Sequence, residues 1–174
     1  MIDEQPTTER SSRQHASTRG VLAQLNISPG GMPKTPILAA HVTKDGVPGD
    51  WQRDRKHHGG PDRAICLFSE ELYAWLREDH GIDLANGSVG ENFTTRGIDL
   101  DQLLPGDRLR IGGCTIEITG VRIPCRNLTR WNENLHKIVV GRSGWVAKVI
   151  EPGDVKPGDT VERVTPSPSR SGPV

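Results

Sequence analysis

No window of this chain holds an apolar run long enough for a signal-peptide core or a membrane span. The sequence therefore reads as a cytoplasmic protein with no membrane partner. It also lacks net charge, since 22 Lys and Arg stand against 22 Asp and Glu. That balance suggests neither a nucleic-acid polymer as partner nor an acidic tail. Cysteine is scarce. Cys66, Cys114 and Cys125 are far apart and odd in number, which argues against a disulfide framework and against a C-x-x-C metal site. A reducing compartment follows. Apolar residues are only 33% of the chain, although both polar ends dilute that figure.

What is plentiful is punctuation. Twenty Gly and 13 Pro are too many for a helical bundle and suit short strands joined by turns. Residues 1–19 and 165–174 are polar and without apolar period, so both are expected to be disordered tails around one domain at residues 20–164. Within it, Val21, Ala23, Leu25 and Ile27 alternate as in a strand, and residues 36–42 read as a second. Ala64 to Phe68 is a short apolar strand. Ser69 should cap a helix through about Glu78, with Glu70 and Glu71 in its first turn and Leu72, Trp75 and Leu76 inward; Gly81 stops it. Residues 145–150 and 160–164 supply the last strands. Pro-Gly-Asp recurs at Pro48, Pro105, Pro152 and Pro157, the composition of type II turns.

The chemistry concentrates near Cys125. Leu109, Ile111, Ile116 and Ile118 alternate with polar residues, and Gly112-Gly113 divides them as a hairpin turn. Downstream, Leu128, Trp131, Leu135 and Ile138 have helical spacing, predicting a helix from Leu128 to about Gly141 capped by Asn127. Pro124 ends the strand. Cys125 is thus expected at a strand-to-helix junction, where helix N–H groups and Arg122, Arg126 and Arg130 favour the thiolate. Such a thiolate serves as nucleophile, persulfide carrier or soft-metal ligand; an inert buried thiol is the alternative. Cys66 and Cys114 lie in apolar strand patterns and are expected to be packing, and Trp131 and Trp145 to be core.

Two further stretches could contact a ligand. Residues 54–63 (Asp-Arg-Lys-His-His-Gly-Gly-Pro-Asp-Arg) read as an anion cradle, with Lys56, His58 and Arg63 as cations, or as a solvated loop. Adjacent His57 and His58 point to opposite faces of an extended chain and make a poor metal pair. Gly90-Glu91-Asn92-Phe93-Thr94-Thr95 offers polar groups to a ligand, and equally reads as a turn into a strand.

In order, Gly49-Asp50, His58-Gly59-Gly60-Pro61-Asp62-Arg63-Ala64, Gly90-Glu91-Asn92, Pro105-Gly106-Asp107-Arg108, Arg122-Ile123-Pro124-Cys125 and Gly144-Trp145 resemble a MOSC domain. That is the domain at the C-terminus of molybdenum cofactor sulfurases, and the resemblance is to its YiiM-like branch of stand-alone bacterial proteins. It implies a mainly β, barrel-like α+β fold with a few peripheral helices, and a molybdenum cofactor (molybdopterin). It implies that Cys125 is the catalytic metal ligand or sulfur acceptor. His58, Gly59, Gly60, Arg63, Glu91, Asn92, Arg122 and Arg126 are then the residues expected to hold the cofactor. The implied activity is reduction of N-hydroxylated small molecules, such as 6-hydroxylaminopurine, hydroxylamines and amidoximes, to amines.

A persulfide carrier for cofactor sulfuration and a non-catalytic cofactor-binding module are the alternatives. The sulfurases join this domain to a pyridoxal-phosphate-dependent cysteine desulfurase; the chain carries neither that domain nor a lysine motif for its own pyridoxal phosphate. No iron–sulfur motif is present, so the expected partner is a separate electron-donor protein or a cysteine desulfurase. The YiiM-type pattern continues into a helical region beyond the position where this chain ends, which leaves the substrate open, as well as a homodimer.

Overall fold

The computed structural model describes residues 17–51 and 60–164. The strands are β1 (Arg19–Ile27), β2 (Thr35–Ile37), β3 (Ala40–Val42), β4 (Ile65–Ser69), β5 (Phe93–Arg96), β6 (Arg108–Ile111), β7 (Cys114–Val121), β8 (Trp145–Glu151), β9 (Gly153–Val155) and β10 (Thr160–Val164). Seven of them close into a barrel, β1-β10-β6-β7-β8-β4-β5 and back to β1, while β2 extends from β1 outside the ring. Closure removes the unpaired edges that an open sheet would expose. β3 and β9 form a separate two-stranded ribbon. Among the described residues no helix is long and apolar enough to cross a membrane. The disordered-tail expectation for residues 1–16 and 165–174 lies outside the described residues. Residues 17–19, assigned above to a tail, instead belong to the fold: Ser17 and Thr18 accept backbone bonds from Asp99 and Arg163, and β1 begins at Arg19.

The β6–β7 hairpin forms as its alternation dictates, with Leu109, Ile111, Ile116 and Ile118 pointing into the barrel at no more than 1% exposure. β1 departs from the simple alternation. Its pairing with β5 shifts between Leu22 and Gln24, and Leu22 and Leu25 are the residues driven fully into the core rather than Val21 and Ala23. A bulge adds one residue and switches which face points inward. The expected strand at residues 36–42 is likewise two short strands, β2 and β3, because the chain leaves one sheet for another.

β4 and β5 pair in parallel, which requires a crossover. Helix α1 (Glu70–His80) supplies it. Ser69 Oγ accepts the Leu72 N–H at its start, and Gly81 ends it in the left-handed conformation, both as its sequence indicates. α1 buries Leu72, Tyr73 and Leu76 against Phe68, Val89, Leu128, Leu135 and Val139, a second core outside the barrel. Three of the four Pro-Gly-Asp units are turns with glycine at positive φ, at Gly49, Gly106 and Gly158. The fourth is not. Gly153 opens β9, and a Cβ there would lie 2.0 Å from the Gly113 carbonyl oxygen, so glycine is needed for backbone approach.

Candidate functional site

β7 ends at Val121, and the chain then arches over the outer face of the barrel wall. Arg122 N–H donates to Gly144 O at 2.9 Å, and Ser143 Oγ donates to Arg122 O, which ties the base of the arch to the chain entering β8. The helix expected at 128–141 does not form as one piece. A 3₁₀ turn runs from Arg126 to Arg130 and a single α turn, α2 (Leu135–Ile138), follows. Cys125, not Asn127, occupies the cap position, and no side chain caps the turn. The apolar spacing still did its work: Leu128 and Leu135 are buried against α1. Trp131 is 36% exposed at the surface instead of in the core. A five-residue 3₁₀ turn has little macrodipole to offer, so the surroundings of Cys125 are set by neighbouring side chains.

Those neighbours enclose a cavity of about 830 Å³. Cys125 lines it, half-buried, together with Arg122, Arg126 and Arg130 from the arch, Arg63 from the segment before β4, and Lys34 from the loop after β1. Among the described residues no Asp or Glu lines it. Trp51, Val121 and Ile123 add an exposed apolar rim. Cys66 lies in the wall rather than in packing, since its strand position puts it on the outer face between buried Ile65 and Leu67. Two of the three thiols thus open onto one cleft. Cys114 is the opposite case: it is fully buried at the β6–β7 turn, and burial, with Glu151 adding, pushes its thiol up to about 12. Labelling of the native protein at pH 8 is expected to modify Cys66 and Cys125, with Cys114 reacting only after denaturation. Three fast-reacting thiols counted before unfolding would contradict this arrangement.

The other candidate residues divide. Arg63, Asn92, Arg122 and Arg126 meet at the cavity with Cys125. Gly60 does not; it precedes the 3₁₀ turn at Pro61–Arg63 with φ 98° and faces open space. His58 and Gly59 lie outside the described residues. Asn92 reaches the wall, but its amide is committed. Its Oδ1 accepts Cys66 N–H at 3.1 Å, and its Nδ2 donates to Asp50 Oδ2 at 2.9 Å and to Asn26 O at 3.3 Å. It positions the strand bearing Cys66. Glu91 corrects its expectation outright. It is fully buried behind the cleft, where its carboxylate accepts from Gly87 N–H (2.7 Å), Thr94 Oγ (2.7 Å) and Tyr73 OH (2.9 Å). Burial pushes its carboxyl above the ordinary range and likewise raises the Tyr73 phenol.

That buried network braces the loop at residues 87–92, which holds the cleft together through three consecutive carbonyls. Gly87 O accepts Lys34 N–H at 2.9 Å, Ser88 O accepts Trp131 Nε1–H at 2.9 Å, and Val89 O accepts from the Arg122 guanidinium. Arg130 reaches across the cleft to Met32 O. Gly90 faces the cleft with φ +87°, and a Cβ there would meet Arg122 Nη2 at 3.4 Å. Sequence reading gave no site role to Lys34, Asp50 or Tyr73 and placed Cys66 in packing. For Asp50 a signal existed in the Pro48-Gly49-Asp50 unit; the other three carry none, because tertiary contacts alone place them.

Chemically, the site offers a soft sulfur beside guanidiniums suited to an anion, with volume for a cofactor-sized ligand. Among the described residues no group of three or more His, Cys, Asp or Glu could hold a metal ion. A single thiolate fits a metal whose remaining ligands arrive with a cofactor.

Known proteins share this architecture. The chain is 31% identical over 140 residues to YflK of Bacillus subtilis, covering 78% of this chain and 63% of that protein. It is 33% identical over 132 residues to YiiM of Escherichia coli, covering 71% and 58%. The crystal structure of that YiiM superposes with a TM-score of 0.68 at 24% identity, over 85% of this chain and 71% of the other. A protein of Gibberella moniliformis named Reductase matches at 31% over 124 residues, 67% of this chain and 22% of its own length. The chain thus spans about three-fifths of the two bacterial relatives. Residues 54–162 match the model of the MOSC domain, and with the closed barrel and YiiM among its relatives, the chain belongs to the MOSC domain family.

Proposed function

We propose that this chain binds a molybdenum cofactor in the cleft and reduces N-hydroxylated compounds, of the hydroxylaminopurine, hydroxylamine or amidoxime type, to amines. The observation that carries the reading is Cys125, a half-buried thiol opening onto a cavity of about 830 Å³ that is lined, among the described residues, by four arginines and no carboxylate. The MOSC family is generally associated with the molybdenum cofactor, and one relative is named a reductase. The residues present fit the group. Cys125 would hold the metal, and Arg63, Arg122 and Arg126 would hold the anionic end of the pterin. When bound, the cofactor supplies the two electrons that cleave the N–O bond.

The rest falls to the protein. Arg122, clamped by Val89 O and Gly144 O, keeps a fixed cation at the base of the arch. Asn92 and Asp50 fix the wall that carries Cys66, and the apolar rim of Trp51, Val121 and Ile123 dries the entrance. Electrons would come from a separate reduced donor protein. The test is expression in a host that makes the cofactor. Molybdenum near one per chain and conversion of 6-hydroxylaminopurine to adenine with a reduced donor are expected. Metal-free protein carrying a persulfide on Cys125 would instead support the sulfur-carrier reading.

A further inference from the structure

We infer that Lys34 is the acid of this cleft, the group that hands a proton to the oxygen leaving the bound substrate. The inference rests on the reductase reading above. Reduction of a hydroxylamine balances as R–NHOH + 2 e⁻ + 2 H⁺ → R–NH₂ + H₂O. The N–O bond breaks, nitrogen is reduced, and the departing hydroxide must be protonated. The electrons come from a reduced flavin or iron–sulfur protein by way of the cofactor. One proton is needed at oxygen and one at nitrogen, and the site has few places to hold them.

Arginine keeps its proton at any working pH, so Arg63, Arg122, Arg126 and Arg130 supply field and hydrogen bonds but no acid. Cys125 would be committed to the metal. Among the described lining residues this leaves Lys34 and Cys66. Lys34 is the built one. Its side chain is 8% exposed, and its ammonium sits 2.6 Å from Asp50 Oδ2, itself on a side chain only 4% exposed. Asp50 is in turn held by Ser28 N–H at 2.9 Å and Asn92 Nδ2 at 2.9 Å, so it cannot swing away. Asp50 takes one of the three ammonium hydrogens, and no other side-chain partner of Lys34 is found among the described residues. Among the described residues two donors therefore remain without a partner on a nearly buried side chain that lines the cavity, which calls for a polar ligand. A cation also attracts the hydroxide as it forms, whereas a thiol giving up its proton would leave a repelling anion. Lys34 gives its proton to that oxygen, water protonates the nitrogen, and solvent reloads the amine. Asp50 is its positioning residue.

The experiment uses the molybdenum-loaded protein and its Lys34→Ala and Lys34→Arg variants. Molybdenum per chain, a readout besides turnover, is expected to match wild type in both variants; Lys34→Arg keeps the buried pair with Asp50 and should keep the melting temperature, whereas Lys34→Ala strands that carboxylate and should lower it. kcat is expected to fall by about 10²–10⁴-fold with KM moving much less, since arginine keeps the charge without releasing a proton. Methylamine should restore Lys34→Ala at least tenfold, and tetramethylammonium, a charge with no proton, should not. Lys34 variants within threefold of wild-type kcat, equal rescue by both cations, or a loss seen only in Cys66→Ala would each overturn the assignment while the reductase reading stands. Loaded wild-type protein that reduces no N-hydroxylated compound would overturn the reading and this inference with it.

Discussion

Replacing Cys125 with alanine is expected to abolish metal retention and turnover while leaving folding stability within about 0.5 kcal/mol of the parent. The structure separates these effects cleanly. The thiol caps no helix, lies half-exposed at the cleft, and is not part of either hydrophobic core. The contact that shapes the turn is the Cys125 carbonyl accepting Leu128 N–H at 3.2 Å, which alanine preserves. Leu128 anchors the arch from below and Trp131 Nε1 holds it to Ser88 O, so nothing in the fold depends on the sulfur. A direct ligand should matter at least as much as the supporting groups of metal sites, whose loss weakens binding about 10–100-fold. Serine should rescue little, because its hydroxyl stays protonated and is a harder donor. Metal analysis, activity and urea unfolding on the same preparation check the three parts together. Retained molybdenum and activity in Cys125→Ala would move the metal site elsewhere.

Glu91→Ala should do the reverse, removing activity by taking the cleft apart. The lost carboxylate would strand the Gly87 N–H, the Thr94 hydroxyl and the Tyr73 phenol in a fully buried place. Each stranded donor costs about 1–3 kcal/mol, so a loss of at least roughly 3 kcal/mol is expected, a large part of the 5–15 kcal/mol typical of a domain. The loop at 87–92 then loses its brace, and with it the carbonyls that hold Lys34, Trp131 and Arg122. Glu91→Gln is the milder change, since an amide resembles the protonated acid in shape and donors.

pH gives a second reading of the same residue. Burial raises the native carboxyl above its unfolded value, so the folded state keeps the proton longer. Stability from this group is therefore full below the unfolded value and declines as pH rises towards the native one. Glu91→Gln should flatten that slope. Urea midpoints across pH 4 to 8 measure it; a variant as stable as wild type with an unchanged slope would show that Glu91 braces nothing.

Much of this molecule could be read locally. The two-residue alternation of β6 and β7, the Gly112-Gly113 turn and the Ser69 and Gly81 ends of α1 are set by neighbours within a few positions, where backbone preferences and caps act. The motif containing Cys125 placed that residue just past a strand end for the same reason: Pro124 continues no strand, whatever lies beyond it. Other features depended on partners distant in sequence. The bulge in β1 is decided by pairing with β5, about seventy positions away, and the region after Leu128 keeps its burial while losing its helix because α1 provides the core.

Cys66, predicted as packing, faces the cleft because β4 leans on β8 with its outer side open, and Glu91, predicted as ligand-facing, points inward to Tyr73. By itself, then, the sequence determined the β6–β7 hairpin, the capped helix and the place of Cys125 just beyond a strand end, since those follow from short-range pattern. The composition of the cleft, with Lys34 paired to Asp50, Arg63 and Arg122 lining one cavity and the Glu91 brace behind it, was decided only when barrel closure brought residues 28–34, 50–51, 63–66, 87–92 and 121–130 together. No local rule encodes that meeting, because it is the hydrophobic core, not any one segment, that sets which distant polar groups become neighbours.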